Sequence, residues 1–146
     1  VLGVPAIKCR IPLPWLKLIQ HMTASGTMTV AVVTYGGNSY GRALSELNGF
    51  MQAQGFNIVS AATFITKHAS ENKFLRNVME QRPDIRDFEM MKVFGTATSN
   101  KIVRLSGSEV ELLKVKPAPI ECMRSHKAAA FALVSKFKRK EPEWRL

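Results

Sequence analysis

Apolar positions along the first two-thirds of the chain follow two alternating rhythms. "VLGVPAI" (residues 1–7) is a short apolar run that reads as the second half of a buried strand. It is closed by "KCRIPLP", whose two prolines exclude regular strand pairing. In "PWLKLIQHM" Leu16, Ile19 and Met22 recur at helical spacing and predict a short helix. "TASGT" punctuates, and "MTVAVVTY" (28–35) follows as a nearly continuous run rich in Val and Thr. A strand covered on both faces of a parallel sheet has this character.

The best-marked helix comes next. Tyr40, Ala43, Leu44, Leu47, Phe50 and Met51 obey the i, i+3, i+4, i+7 rule. Asn38 or Ser39 is placed to cap its first turn, and Gly55 stands where a left-handed residue ends a helix. "FNIVSAATFI" (56–65) resumes the strand pattern at once. Strand, helix and strand in succession make a βαβ unit, whose crossover is right-handed almost without exception.

Beyond Ile65 the pattern is looser until "RPDIRDF", where Asp84 with Asp87 three positions on signals a helix start. Ile85, Phe88, Met91 and Phe94 are its expected apolar stripe, and "LSGSE" should end it near Arg104. "VELLKVKPAPIE" reads as extended or looped, because Pro117 and Pro119 exclude a central strand. A last helix is expected near 124–140, carrying Ala128, Phe131, Ala132, Leu133 and Val134 among basic residues. The chain thus divides into an α/β domain over 1–105, a parallel sheet flanked by helices in three layers, and a basic extension over 106–146. With so few strands legible, the sheet is expected to continue in sequence ahead of Val1 or in a partner chain.

Composition narrows the functional classes. At 146 residues, with 46% hydrophobic and 22% charged, the chain has the make-up of one globular domain. No apolar run approaches the roughly 20 residues needed to cross a bilayer, and no secretory leader pattern opens the sequence. Cys9 and Cys122 are too few and too separated for a disulfide framework or a zinc site, which points to a reducing, cytoplasmic setting. The net charge of +10 is the unusual number, and seventeen of the 21 basic residues lie in 67–146. Such a balance keeps a small domain in solution, and it also favours acidic partners such as nucleic acid, anionic lipid or an acidic protein.

In an open parallel sheet, ligands bind beyond the carboxyl ends of the strands. Two loops occupy such positions, "PAIKCRIP" and "YGGNSYG", and "ITKHAS" follows the third strand. Gly36 and Gly37 let a ligand approach the backbone, and Tyr35 or Tyr40 is suited to cover a flat ring. The same residues equally suit a tight turn whose tyrosines pack on the helix. His21, His68 and His126 lie far apart without a carboxylate at ligand spacing; His68 stands out because it follows the third strand. Cys9, beside Lys8 and Arg10, is either a packed side chain or a thiol of lowered pKa.

Three segments together, "LGVPAIKCRIP", "AVVTYGGNSYGRALSELNGFMQAQGFNIVSAATFITKHA" and "RPDIRDFEMMKVFG", resemble the later two-thirds of a flavodoxin-like domain of the kind often fused or coupled to bacterial-type ferredoxins. The likeness covers about residues 1–105, and the TYGG-x-x-YG segment is its most specific part. It implies non-covalent binding of FMN and transfer of electrons to a redox partner such as a ferredoxin. Position by position, it implies that Pro5, Ala6, Ile7, Lys8, Cys9 and Arg10 lie along the flavin ring. Thr34, Tyr35, Gly36, Gly37, Asn38 and Tyr40 would meet its edge or face. Lys8 and Arg10, if they face the ring, would favour an anionic reduced flavin.

The chain departs from the family in three respects. The Ser/Thr-Gly-Thr-Gly-Asn phosphate loop is not in it; "ASGTMT" precedes a strand, so its amides would point the wrong way. The family's four-cysteine cluster pattern is lacking too. In its place stands "RSHKAAAFALVSKFKRK", basic and without an acid, where flavodoxins are usually acidic. Two other functions therefore stand beside FMN electron transfer. One is a cofactor-free binding or assembly module working through the basic half; self-association into a homo-oligomer is a further partner expectation. The other is an FMN-dependent reductase of small acceptors.

Overall fold

A computed structural model describes residues 1–37, 39–68 and 80–105, together with the backbone pairing of Trp144–Arg145. The elements in chain order are β1 (Leu2–Pro5), α1 (Leu13–Ile19), β2 (Thr27–Tyr35), α2 (Ala43–Ala53), β3 (Phe56–Ile65), α3 (Ile85–Leu105) and β4 (Trp144–Arg145). β1, β2 and β3 are parallel neighbours in that order, and β4 pairs antiparallel with the outer side of β3 at Ala61 and Ala62. The fold is α/β, as the alternation of patterns predicts. β4 has no counterpart in that pattern. The basic helix expected near 124–140, with Cys122 and His126, lies outside the described residues.

Two apolar layers sandwich the sheet. Ile11 and Ile19 around α1, and Ala43, Leu44, Leu47 and Met51 of α2, close over Val4, Ala31, Val33, Ile58 and Ala61 on one face. On the other face Phe94 of α3, flanked by Met91, Ile102 and Leu105, covers Val30, Val59, Ala62 and Phe64. Each fully buried Val, Leu or Ile of these layers contributes about 1.5–3 kcal/mol relative to exposure. The β2–β3 register slips by one residue, with Thr29 opposite Ile58 and Val30 opposite Ser60, so Val59 forms a bulge.

The helices begin and end by different means. α1 starts after Pro12 with a further proline in its first turn, where a missing N–H breaks no helical bond. α2 ends as expected, with Gly55 at φ +85° just past its C-cap. Its start differs from expectation. The N-cap is Arg42 and makes no side-chain cap bond, while the Ser39 hydroxyl accepts the Gly41 N–H inside the preceding loop. Tyr40 therefore precedes the helix, although its ring packs in the same core.

At α3 the expected start is found and the expected stripe holds in part: Met91 and Phe94 face the sheet, Ile85 and Phe88 do not. Asp84 Oδ1 accepts the N–H groups of Arg86 and Asp87, and Asp87 Oδ2 accepts that of Asp84, a reciprocal cap. Asp87 is buried and ion-paired with Arg82. The face that meets the sheet runs Asp87, Met91, Phe94, Thr98, Ile102, Leu105, whereas Ile85 and Phe88 are exposed. Polar residues at two core-facing positions rotate the apparent apolar stripe away from the true one.

Candidate functional site

The carboxyl ends of β1, β2 and β3 bring three loops together, and backbone contacts fix each to the next. Leaving β1, Ala6 N–H donates to Thr34 O across the strand ends at 2.7 Å. The chain then turns back on itself. Ile7 N–H donates to Arg10 O at 2.9 Å and Arg10 N–H to Ile7 O at 3.1 Å, closing a two-residue hairpin over Lys8 and Cys9. Both turn residues have positive φ, +50° and +65°, as a type I′ turn requires. Neither is Gly, so each holds its conformation at a cost of about 1 kcal/mol.

α2 secures this hairpin with one carboxylate. Glu46, in the first turn, accepts from Arg10 Nε at 2.7 Å and from the Ile11 N–H at 3.2 Å. Arg42 N–H, at the helix start, donates to Cys9 O at 2.9 Å. Gly41 makes that approach possible. Its φ is +54°, and a Cβ there would overlap the Cys9 Cβ and stand 2.7 Å from Cys9 O.

The second and third loops are joined as closely. Thr66 N–H donates to Tyr35 O at 2.8 Å. A Cβ on Gly36 would lie 2.6 Å from His68 Cα and 2.9 Å from Lys67 O, so this glycine admits the backbone of the third loop. Gly37 has one near neighbour among the described residues, His68 Cδ2 at 3.9 Å. Position on a strand end was the sequence signal for His68. Its contact with the glycine pair is visible only in three dimensions.

Of the residues assigned to a ligand site, Pro5, Ala6, Thr34, Gly36 and Gly37 are half-buried along this edge, and Lys8 and Arg10 are exposed. Ile7 is 57% exposed at the hairpin, an apolar side chain held out over the edge. The tyrosines are placed differently. Tyr35 and Tyr40 are 5% and 6% exposed, belong to the core under α2, and meet edge to face at 5.6 Å between ring centroids. Here the packing alternative is realised: neither ring turns a face to the surface. Asn38 lies outside the described residues. Cys9 is disulfide-bonded, so the free thiol activated by Lys8 and Arg10 is not formed, and the expectation that the cysteines take no part in a disulfide, from which a reducing setting is read, is corrected.

Among the described residues, the charge along the edge is largely positive. Lys8, Arg10, Arg42 and Lys67 border it, and the carboxylate among them, Glu46, is taken up by Arg10 and the Ile11 amide. An edge of this sign suits a ligand carrying phosphate or electron-rich ring oxygens. No cluster of side chains suited to a metal ion occurs among the described residues. Nor is any helix among them long and apolar enough to cross a membrane. In comparisons with known proteins, no family model, no curated protein and no solved structure matches the chain.

Proposed function

We propose that the chain is an FMN-binding, flavodoxin-like electron-transfer domain whose flavin ring lies against the carboxyl edge of β1–β3. The observation that carries the reading is the junction of three strand-end loops. Cys9 is locked to Gly41 and Arg42, and Gly36 to Lys67 and His68. Parallel sheets offer ligands this edge. The residues present fit a planar ring bordered by backbone and by Ile7. They do not offer tyrosine stacking, so the ring would be covered by the hairpin instead.

FMN would supply the redox chemistry, passing electrons one or two at a time. The protein's part is to hold and orient the ring and to set the charge around it. Lys8 and Lys67 favour added negative charge on the ligand, and the Glu46–Arg10 pair keeps the local carboxylate from opposing it. A redox protein such as a ferredoxin would be the partner for electron carriage. Reduction of small acceptors would use the same edge with a different acceptor.

The test is titration of the full chain with FMN and with riboflavin, followed by flavin fluorescence and by co-elution on gel filtration. Saturable quenching with both ligands, and yellow protein, is the expected result. Flavin that stays fully fluorescent and elutes apart from the protein would refute the reading.

A second reading has its own support in the buried tyrosines: a cofactor-free binding module that works through its basic half. It requires nucleic acid or an acidic partner to bind with log affinity falling linearly against log salt.

A further inference from the structure

α3 is buried along one side and carries a second apolar pattern along the other. Ile85 and Phe88 near its start and Val103 near its end are 71%, 49% and 73% exposed. They fall on one line with Lys92, Thr96 and Ser99, at the three- and four-residue steps of a single helix face. That line lies opposite Asp87, Phe94 and Thr98, which are turned to the sheet. Between its bulky ends the face narrows to Gly95, Thr96 and Ser99, all exposed. Nothing inside the chain calls for the glycine. Its φ is not left-handed, and among the described residues nothing lies within 4 Å of a Cβ built on it. Glycine in the middle of a 21-residue helix lowers stability relative to alanine, so the reason for it points outside the chain.

We propose that this outer face of α3 is a self-association surface, on which a second copy of the chain lays its own α3 antiparallel, the two helices crossing at Gly95 and Thr96. A two-fold axis at that point sets Phe88 of each copy against Val103 of the other, Lys92 against Ser99, and Gly95 against Thr96. One patch then serves both copies, as an isologous interface requires. The order of side-chain sizes fits the crossing. Helices inclined by about 20° approach to about 8–10 Å between axes at the centre and part toward both ends. Small residues stand at the centre, and a Phe–Val pair fills each widening end. A parallel pair would set Phe88 on Phe88 and Val103 on Val103, with unequal gaps and with the helix dipoles aligned. Lys92 is compatible with the contact, because its stem covers apolar surface and its ammonium can donate to the Ser99 hydroxyl. The strip is about 31 Å long and one helix wide, which is less than the roughly 800 Å² per partner of a standard interface. Each chain also carries a net charge of +10. The pair is therefore weak, with Kd about 10–100 μM, and salt strengthens it by screening the repulsion.

The test is sedimentation equilibrium of the full chain from about 5 to 500 μM, at about 0.1 M and 0.5 M salt. A monomer–dimer equilibrium that tightens at the higher salt is the expected result. Phe88→Glu and Val103→Lys, both at exposed positions, should each weaken it by about tenfold or more, while dilute protein melts close to wild type. The double variant brings the introduced carboxylate and ammonium face to face only in the antiparallel register, and should recover part of the lost association. Gly95→Leu should raise the melting point, because leucine is the better helix former, and weaken association by about tenfold. A chain that stays monomeric at every concentration and salt overturns the proposal. So does a monomer that sediments with vesicles of equal phosphatidylglycerol and phosphatidylcholine, which would assign the face to a lipid surface. Association that neither single variant weakens places the contact elsewhere and overturns it too. A double variant no better than the single ones, or Gly95→Leu associating as well as wild type, overturns the antiparallel crossing.

Discussion

Replacing Gly41 by alanine tests the joint between the first two loops. The substitution puts a Cβ onto a backbone held at φ +54°, which costs about 1 kcal/mol for a residue that is not glycine. The new methyl overlaps the Cys9 Cβ and stands 2.7 Å from Cys9 O and 3.1 Å from Cys9 Cα. Two of these are backbone atoms, so no side-chain rotation relieves the contact. The hairpin must move away, and the Arg42 N–H to Cys9 O bond goes with it, a further loss of about 1 kcal/mol. Displacing the hairpin also weakens the Ile11 N–H to Glu46 bond, by up to about 1 kcal/mol more. Against this, alanine restricts the unfolded chain and returns about 0.5–1 kcal/mol.

The net expectation is a destabilisation of about 2 kcal/mol, or a melting point lower by about 4–12 °C. Urea unfolding of the full chain measures the first quantity directly, provided the slope m is unchanged. Amide exchange at Arg42 should rise more than exchange in β2, because the damage begins at the loop joint. A Gly41→Ala chain within about 0.5 kcal/mol of wild type, with Arg42 still protected, would refute the account of how the loops are held.

Two further substitutions probe the other face of the sheet. Phe94→Ala removes a buried ring that meets Phe64 edge to face at 5.8 Å between centroids, and should cost about 3–4 kcal/mol in urea unfolding. Asp87→Ala removes the carboxylate that caps α3 and leaves the Arg82 guanidinium, 15% exposed, without its closest partner. A loss of about 2–4 kcal/mol is expected by the same measurement, with Asp87→Asn milder because its amide oxygen still accepts the Asp84 N–H.

The strands and α2 were legible because their apolar positions are dense and their boundaries carry turn residues. β2 and β3 lie where the apolar runs at 28–35 and 56–65 place them, and Gly55 ends α2 with the backbone conformation its position implies. Illegibility has identifiable causes. The true stripe of α3 includes Asp87 and Thr98, so a reading that follows apolar residues drifts onto Ile85 and Phe88. Lys8 and Cys9 adopt positive φ without glycine or asparagine to announce it, so the hairpin reads only as an irregular loop. β4 has two residues and no pattern of its own.

The candidate edge was legible as a place and not as an arrangement. Strand ends in a parallel sheet locate it, but whether Tyr35 and Tyr40 face a ligand or the core depends on the neighbouring layer. The role of Gly36 depends on residues 67–68, more than thirty positions away.

The bulge at Val59 acts on β3 as a phase correction. Strict alternation from Phe56 would put Ile58, Ser60, Ala62 and Phe64 on one side. Instead Phe56, Ile58, Ala61 and Ile65 share the α2 side, while Val59, Ala62 and Phe64 share the α3 side. Deleting this one residue would behave like a frameshift written in three dimensions. On one side of the cut, every side chain would be delivered to the wrong layer. The strand end that carries Thr66 and His68 keeps its address at the carboxyl edge of the sheet only because an irregularity six residues or more upstream sets the parity of the path to it.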